Sequence, residues 1–362
     1  MEDKLFVTAP SLAPLKEYID LLEGIWSRGI LTHNGPLVQE LESRLNCALS
    51  VQNVRLVTNG TMALQMAIKA LDLKGEIITT PFTWIATLSA IQWEGCIPIF
   101  CDVEEDTFNI DGTKIEELIT DKTVAIMPVH VFGNPCDVDH ISAIASKYNL
   151  KVIYDAAHAV GSTFKGRSLL DFGDISATSL HATKILNTGE GGAIVSNSPD
   201  LDEIVQKIRF FGHNEAKEIK RIGTNGKMTE IHAALGLVNL RYFGDVLSDR
   251  KKKYHYYKTR LKDLDSICFQ ELKFGESNYS YFPIVFKNEM TLIKSMDHLE
   301  KRNIYSRRYF YPSVNTFTEV VEYCECPISE NLASRILCLP LYFELDVKDI
   351  DFIIDELIQS LS

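Results

Sequence analysis

Between about residue 54 and residue 196, short apolar runs alternate with segments of helical period. The runs Ile77–Pro81, Ile97–Val103, Val124–Val129, Lys151–Tyr154, Ala177–Leu180 and Ala193–Ser196 are predicted strands. Strands that alternate with helices predict a parallel sheet covered by helices. Between two of these runs, Asp137 caps a predicted helix whose Ile141, Ile144, Ala145 and Tyr148 recur at three- and four-residue spacing, and Asn149 stops it. This is a βαβ unit. A further helical pattern covers Met228–Tyr242, and the charged run Asp249–Lys253 just after it marks a boundary where a long helix leaves the first part of the chain.

Beyond that boundary the order of elements changes. A helix is predicted near 249–263, a strand at Tyr281–Phe286, a helix at Thr291–Arg302 and a closing helix at Val347–Leu361 carrying Ile350, Ile353, Ile354, Leu357 and Leu361. This order predicts a smaller α+β domain. With 362 residues the chain is too long for one ordinary core, and no repeat or low-complexity tract suggests a solenoid or a flexible string.

Composition narrows the function. At 46% hydrophobic and 24% charged residues the chain reads as a folded globular protein. Its 37 Lys and Arg against 49 Asp and Glu leave a net charge of −12, which opposes the basic footprint of nucleic-acid binding. The eight cysteines form no CxxC pair and no zinc-ligand spacing, so they read as reduced thiols and no metal is expected. Cys324 and Cys326, two apart, have no His or third Cys beside them in sequence. No signal peptide and no membrane-spanning run is apparent, which makes the cytoplasm the expected compartment.

In an open α/β sheet, ligands bind at the carboxyl ends of the strands. Four clusters fit that description. Thr58-Asn59-Gly60-Thr61 opens the helical run Met62–Leu71, a place where free amides and the helix dipole hold a phosphate; alone it is equally a simple N-cap. Asp155, in Tyr154-Asp155-Ala156-Ala157-His158, puts a carboxylate at the sheet rim, and a buried carboxylate needs a cation such as a protonated pyridine nitrogen. By itself it also reads as a loop cap, and His158 as a core histidine. Lys184, in the stretch Ser179–Gly192, stands among apolar neighbours just past a strand, where an amine can form a Schiff base. Its glycines Gly189, Gly191 and Gly192 are expected to let backbone approach a flat ligand. Trp84, after Pro81-Phe82-Thr83, is an aromatic ring able to stack on such a ligand or to sit in the core.

Taken in order, these clusters resemble the DegT/DnrJ/EryC1/StrS sugar aminotransferases, fold type I enzymes that use pyridoxal 5′-phosphate (PLP). The resemblance spans Thr32–Pro36, Asn59-Gly60-Thr61, Pro81–Trp84, Pro128–Asp139, Asp155–His158, His181–Lys184 with Gly189–Gly192, and Asn225–Glu230. It implies a large PLP-binding domain with a mostly parallel central sheet over 1–245 and a small C-terminal α+β domain over 246–362. Lys184 is implied as the lysine that holds PLP and shuttles protons, and Asp155 as the partner of the pyridine nitrogen. The resemblance also puts Trp84 on the ring and His158 near the phenolic oxygen. Gly60, Thr61 and Ser179 would cradle the phosphate, and Asn225 would reach the phosphate of the neighbouring subunit, which requires a homodimer.

Two departures stand out: many relatives have Asn-Tyr-Arg-Met where this chain has Asn225-Gly226-Lys227-Met228, and Glu-Asp where it has Tyr154-Asp155. Lys227, Arg307, Arg308 and Tyr311 are candidates for contacting the substrate, the last three in a segment expected to close over the site; each is equally a solvated surface residue. Within the family, Pro128-Val129-His130 and Gly133-Asn134-Pro135-Cys136-Asp137 with Asn225–Met228 look most like the branch that aminates C4 of dTDP-4-keto-6-deoxyglucose with L-glutamate as donor. Alternatives are a C3 aminotransferase acting on a dTDP-3-keto-6-deoxyhexose, a UDP-4-keto-sugar aminotransferase, and a regulatory or assembly protein that keeps the fold. A Rossmann oxidoreductase lacks its GxGxxG after the first strand, and Lys184 argues against the dehydratase branch, which has a histidine there.

Overall fold

In the computed structural model, which describes residues 4–214 and 216–361, the apolar runs of the first part become one seven-stranded sheet. Its strands are β1 Val54–Val57, β2 Glu76–Thr79, β3 Ile97–Phe100, β4 Thr123–Met127, β5 Lys151–Asp155, β6 Ile175–Ser179 and β7 Gly192–Ser196. They lie in the order β1-β7-β6-β5-β4-β2-β3. Only β7 runs antiparallel to its neighbours, and β2 to β6 pair in parallel.

Both faces of the sheet are covered, and alternate residues of a strand enter different cores. Ile78, Ile126, Val152, Tyr154, Ala193 and Val195 join one cluster, while Ile77, Ala125, Met127, Ile153 and Ile194 join the other. The first cluster is built with helices α1 Leu15–Arg28, α2 Pro36–Leu49, α5 Val138–Tyr148 and α7 Glu230–Arg241. The second is built with α3 Gly60–Ala70, α4 Ile85–Trp93 and α6 Pro199–Arg209. The expected cap of α5 is present: Asp137 accepts from His140 N at 3.1 Å and Asn149 is left-handed.

Two sequence expectations shift. The strands predicted to end at Pro81 and Val129 stop at Thr79 and Met127, because Pro81 and Pro128 have no N–H for the ladder. Strand β1 was not among the predicted runs, since Arg55 interrupts it. Its guanidinium is neutralised by Asp202 at 2.6 Å and Glu42 at 3.0 Å, carboxylates that come from distant helices.

The second part carries an antiparallel sheet, β8 Ile267–Phe269, β9 Phe282–Phe286 and β10 Ile336–Leu339. Helices α8 Phe243–Leu261, α9 Glu289–Lys301 and α10 Val347–Leu361 share its core through Tyr257, Leu292, Leu299, Ile353 and Leu357. Leu5 belongs to that core too, because Leu5–Phe6 pairs with Ile304–Tyr305. The charged run Asp249–Lys253 lies inside α8, with Lys251 and Lys252 exposed and Arg250 and Lys253 buried. Arg250 is buried and donates to Ser280 O at 2.9 Å, and Lys253 binds the carbonyls of Tyr342 and Phe343. Among the described residues no helix is long and apolar enough to cross a membrane.

A further aromatic cluster joins the two parts. Phe82, Phe108 and Phe132 from loops of the large sheet pack on Tyr281, Tyr309 and Phe310. The candidate site opens beside it.

Candidate active site

The carboxyl end of β6 and the start of α3 meet closely. A Cβ on Gly60 would lie 3.0 Å from the Ser179 Cβ, and one on Gly192 would lie 2.5 Å from the Asn59 carbonyl oxygen. Asn59 caps α3 by accepting from Met62 N at 2.8 Å. Gly60, Thr61 and the Ser179 hydroxyl therefore stand together at a helix start, a polar cradle with a positive dipole end. None of Gly189, Gly191 and Gly192 lines the cavity. Gly192 instead admits the helix start, so the expected role of these glycines toward a flat ligand moves one layer back.

This cradle forms one wall of a cavity of about 380 Å³ that also takes in Trp84, Asp155, His158 and Lys184. Asp155 ends β5 and is buried. Its carboxylate accepts from Thr87 Oγ1 at 2.7 Å and Ala157 N at 3.1 Å, with Thr83 behind Thr87 at 2.8 Å. Burial nevertheless raises the carboxyl above its usual range, outweighing Thr87, Ala157 and the charge of Lys184.

Lys184 follows β6 on a turn in which its N–H donates to His181 O at 2.8 Å. Burial pushes its amine down to about 8, with Asp155 opposing and Arg307 adding to the fall. A lysine so shifted carries an appreciable neutral fraction near neutral pH, as a nucleophile and proton carrier requires. The His158 ring lies nearly parallel to Phe132 at 6.2 Å and to Phe310 at 5.9 Å. Burial, then Lys184, holds it well below the usual histidine range, so it stays neutral. Trp84, at the N-cap of α4, is half-exposed at the mouth.

Of the remaining candidates, Asn225, Lys227, Arg308 and Tyr311 lie outside the cavity lining. Asn225 pairs with Phe210 and accepts from Lys227, whose amine stands 4.8 Å from the rings of Phe210 and Phe211. Arg308 donates to Glu289 at 2.6 Å and stacks on Tyr311. Arg307 does line the cavity, with Tyr281, Tyr309 and Phe310. Thr87 and these aromatics were not anticipated. The spacing of Thr83 and Thr87, one helical turn apart, was a usable sign for the first; the aromatics come from sequence far away.

A model of the DegT/DnrJ/EryC1/StrS aminotransferase family matches residues 15–358. The chain belongs to this family. It is 43% identical over 361 residues to a dTDP-4-amino-4,6-dideoxy-D-glucose transaminase of Shigella dysenteriae, covering 98% of each chain. Among solved structures, DesI in the presence of its TDP-sugar product is similar at TM-score 0.94 and 30% identity, covering 100% of this chain and 94% of that one. NtdA of Bacillus subtilis with bound cofactor PMP is similar at TM-score 0.89 and 27% identity, covering 96% and 82%. The α/β architecture with its mostly parallel sheet is that of these sugar aminotransferases.

Proposed function

We propose that this aminotransferase uses PLP to move the amino group of L-glutamate to C4 of dTDP-4-keto-6-deoxy-D-glucose, giving dTDP-4-amino-4,6-dideoxy-D-glucose. One observation carries the reading: a lysine amine of lowered proton affinity and a buried carboxylate without a bonded cation face one cavity, beside an anion cradle. The similarity to the dTDP-4-amino-4,6-dideoxy-D-glucose transaminase of Shigella dysenteriae supports the sugar and the position aminated.

The residues fit PLP. Asp155 is a buried carboxylate that has hydrogen bonds but no ion pair among the described residues, and a protonated ring nitrogen would provide the missing cation. The cradle of Gly60, Thr61 and Ser179 suits a phosphate, and a Cβ at residue 60 would crowd Ser179 at 3.0 Å. When bound, PLP supplies an electron sink next to the carbon that loses or gains the amine. Lys184 holds it and takes and returns the proton at Nζ. Asp155 keeps positive charge at the ring nitrogen. Trp84 would offer a ring for the cofactor to stack on, neutral His158 would offer it a hydrogen bond, and the aromatic wall of Tyr281, Tyr309 and Phe310 excludes water.

The same reading has a homodimer in which Asn225 and Lys227 of one subunit serve the other's cavity, since neither lines its own. It divides the chain into a PLP-binding domain over 1–245 and a small domain over 246–362, a division that falls in the first turn of α8. Eight free thiols fit a reducing cytoplasm.

The test incubates the purified chain with PLP, L-glutamate and dTDP-4-keto-6-deoxyglucose, and in parallel with the 3-keto isomer, and identifies the product by NMR. An amine on C4 is expected. An amine on C3, or turnover of a UDP-sugar alone, overturns the substrate.

A further inference from the structure

Besides Lys184, the cavity is lined by a second basic side chain, Arg307, that has no ion pair among the described residues. Arg307 follows the short strand Ile304–Tyr305, and its backbone is fixed to β10 by Arg307 N to Cys338 O at 3.1 Å and Cys338 N to Arg307 O at 2.8 Å. Its guanidinium lies 5.6 Å from the Trp84 ring centre and 4.5 Å from that of Tyr309. Among the described residues no carboxylate or carbonyl accepts from that guanidinium. The next residue behaves oppositely: Arg308 is held by Glu289 at 2.6 Å and Ser334 O at 2.9 Å. Of two adjacent arginines, one is tied into the fold and the other is free over the cavity. The ring contacts position Arg307 without using any of its N–H donors.

Among the described residues, Arg307 is the only Lys or Arg besides Lys184 that lines the cavity. It is near enough to Lys184 for its charge to lower the proton affinity of that amine. An aminotransferase admits two substrates to the same place in turn. The amino-acid donor carries a carboxylate on the very carbon that bears the amine. The keto sugar presents neutral ring carbons there, with its diphosphate across the ring. A cation near Lys184 therefore meets an anion attached to the reacting carbon only in the donor half of the cycle.

We infer that Arg307 is the donor-binding residue, its guanidinium taking the carboxylate on the amine-bearing carbon of the amino acid from a seat between Trp84 and Tyr309. The planar fork of N–H groups matches a carboxylate at two points. The inference rests on the aminotransferase reading above and adds to it a device for accepting two unlike substrates. The donor is read by charge at Arg307, and the sugar is read elsewhere.

The test follows the two half-reactions separately in PLP-loaded wild type, Arg307→Gln and Arg307→Lys, through the absorbance of the bound cofactor. One arm uses L-glutamate and the other uses dTDP-4-amino-4,6-dideoxy-D-glucose in the reverse direction. For Arg307→Gln the half-saturating glutamate concentration should rise roughly 30- to 100-fold, the usual weight of a lost charged hydrogen-bonded pair. The amino sugar should change less than about threefold, and Arg307→Lys, which keeps the charge but not the fork, should fall between. 4-Aminobutyrate, which lacks a carboxylate on the amine-bearing carbon, should react equally poorly with wild type and Arg307→Gln. Equal losses in both arms, a loss confined to the amino sugar, or no loss in either overturns the inference. A lowered melting temperature of Arg307→Gln with an unimpaired Arg307→Lys overturns it as well. Wild type that converts no glutamate at all would instead remove the aminotransferase reading itself.

Discussion

Asp155 and Lys184 face the same cavity without forming an ion pair. The carboxylate spends its hydrogen bonds on Thr87 at 2.7 Å and Ala157 at 3.1 Å, and burial pulls both groups toward their neutral forms, the acid upward and the amine down to about 8. Two groups that could have neutralised each other are held apart. Each stays available for a third partner, as the proposed cofactor requires.

Replacing Asp155 by Asn keeps the shape and an acceptor for Thr87 or Ala157 but removes the charge. Turnover should fall about 100-fold or more, because a charge-assisted bond at a buried nitrogen is lost. Melting temperature in the absence of cofactor should hold or rise, since a buried charge is removed. Near-normal turnover in Asp155→Asn would make the residue a loop cap.

The lowered proton affinity of Lys184 sets a pH window. Below about 8 the amine is protonated in both folded and unfolded chains and burial of its charge costs stability. Between about 8 and the ordinary 10.5 the unfolded chain binds more protons, so this group's contribution to stability rises with pH. Lys184→Met, which has no titrating group, should therefore exceed apo wild type in stability most below pH 8 and lose that advantage as pH climbs toward 10.5. Denaturant titrations at several pH values check this, and an advantage independent of pH contradicts the shift. Lys184→Met should also show no turnover.

The composite site can be tested by complementation. Asn225→Ala and Lys184→Ala, each of low activity alone, should recover activity when co-expressed, because a mixed dimer rebuilds one intact site. A mixed dimer, proved by tags, that stays as inactive as its parents would place Asn225 outside the partner's cavity.

Gly192→Ala probes the cradle without touching a proposed ligand. A Cβ 2.5 Å from the Asn59 carbonyl must displace the start of α3. Overpacking of this kind costs on the order of 1–3 kcal/mol. Stability should drop by that amount, and PLP should bind more weakly. Unchanged PLP affinity, read by equilibrium titration, would separate the cradle from the phosphate.

Local chemistry already placed much of this protein in its sequence. The α5 helix is legible from Asp137 to Asn149 because cap, apolar period and stop lie within thirteen residues of one another. The strand end at Asp155 is likewise marked by a change from apolar to polar residues, and the Asn59 turn by its cap chemistry, whereas the place of Ser179 beside Gly60 is implied only by the family resemblance. Tertiary structure decided what depends on distant partners. Strand β1 forms although Arg55 interrupts it, because Asp202 and Glu42 fold back to neutralise the charge. Arg307 and Arg308 are indistinguishable as neighbours in a sequence, yet one finds Glu289 and the other finds none, because β10 fixes the backbone so that only one side chain turns to the cavity. Hydrophobic period and capping act over a few residues and can be read along the chain. Burial and charge pairing depend on which remote segments arrive beside a residue, so they exist only once the chain has folded.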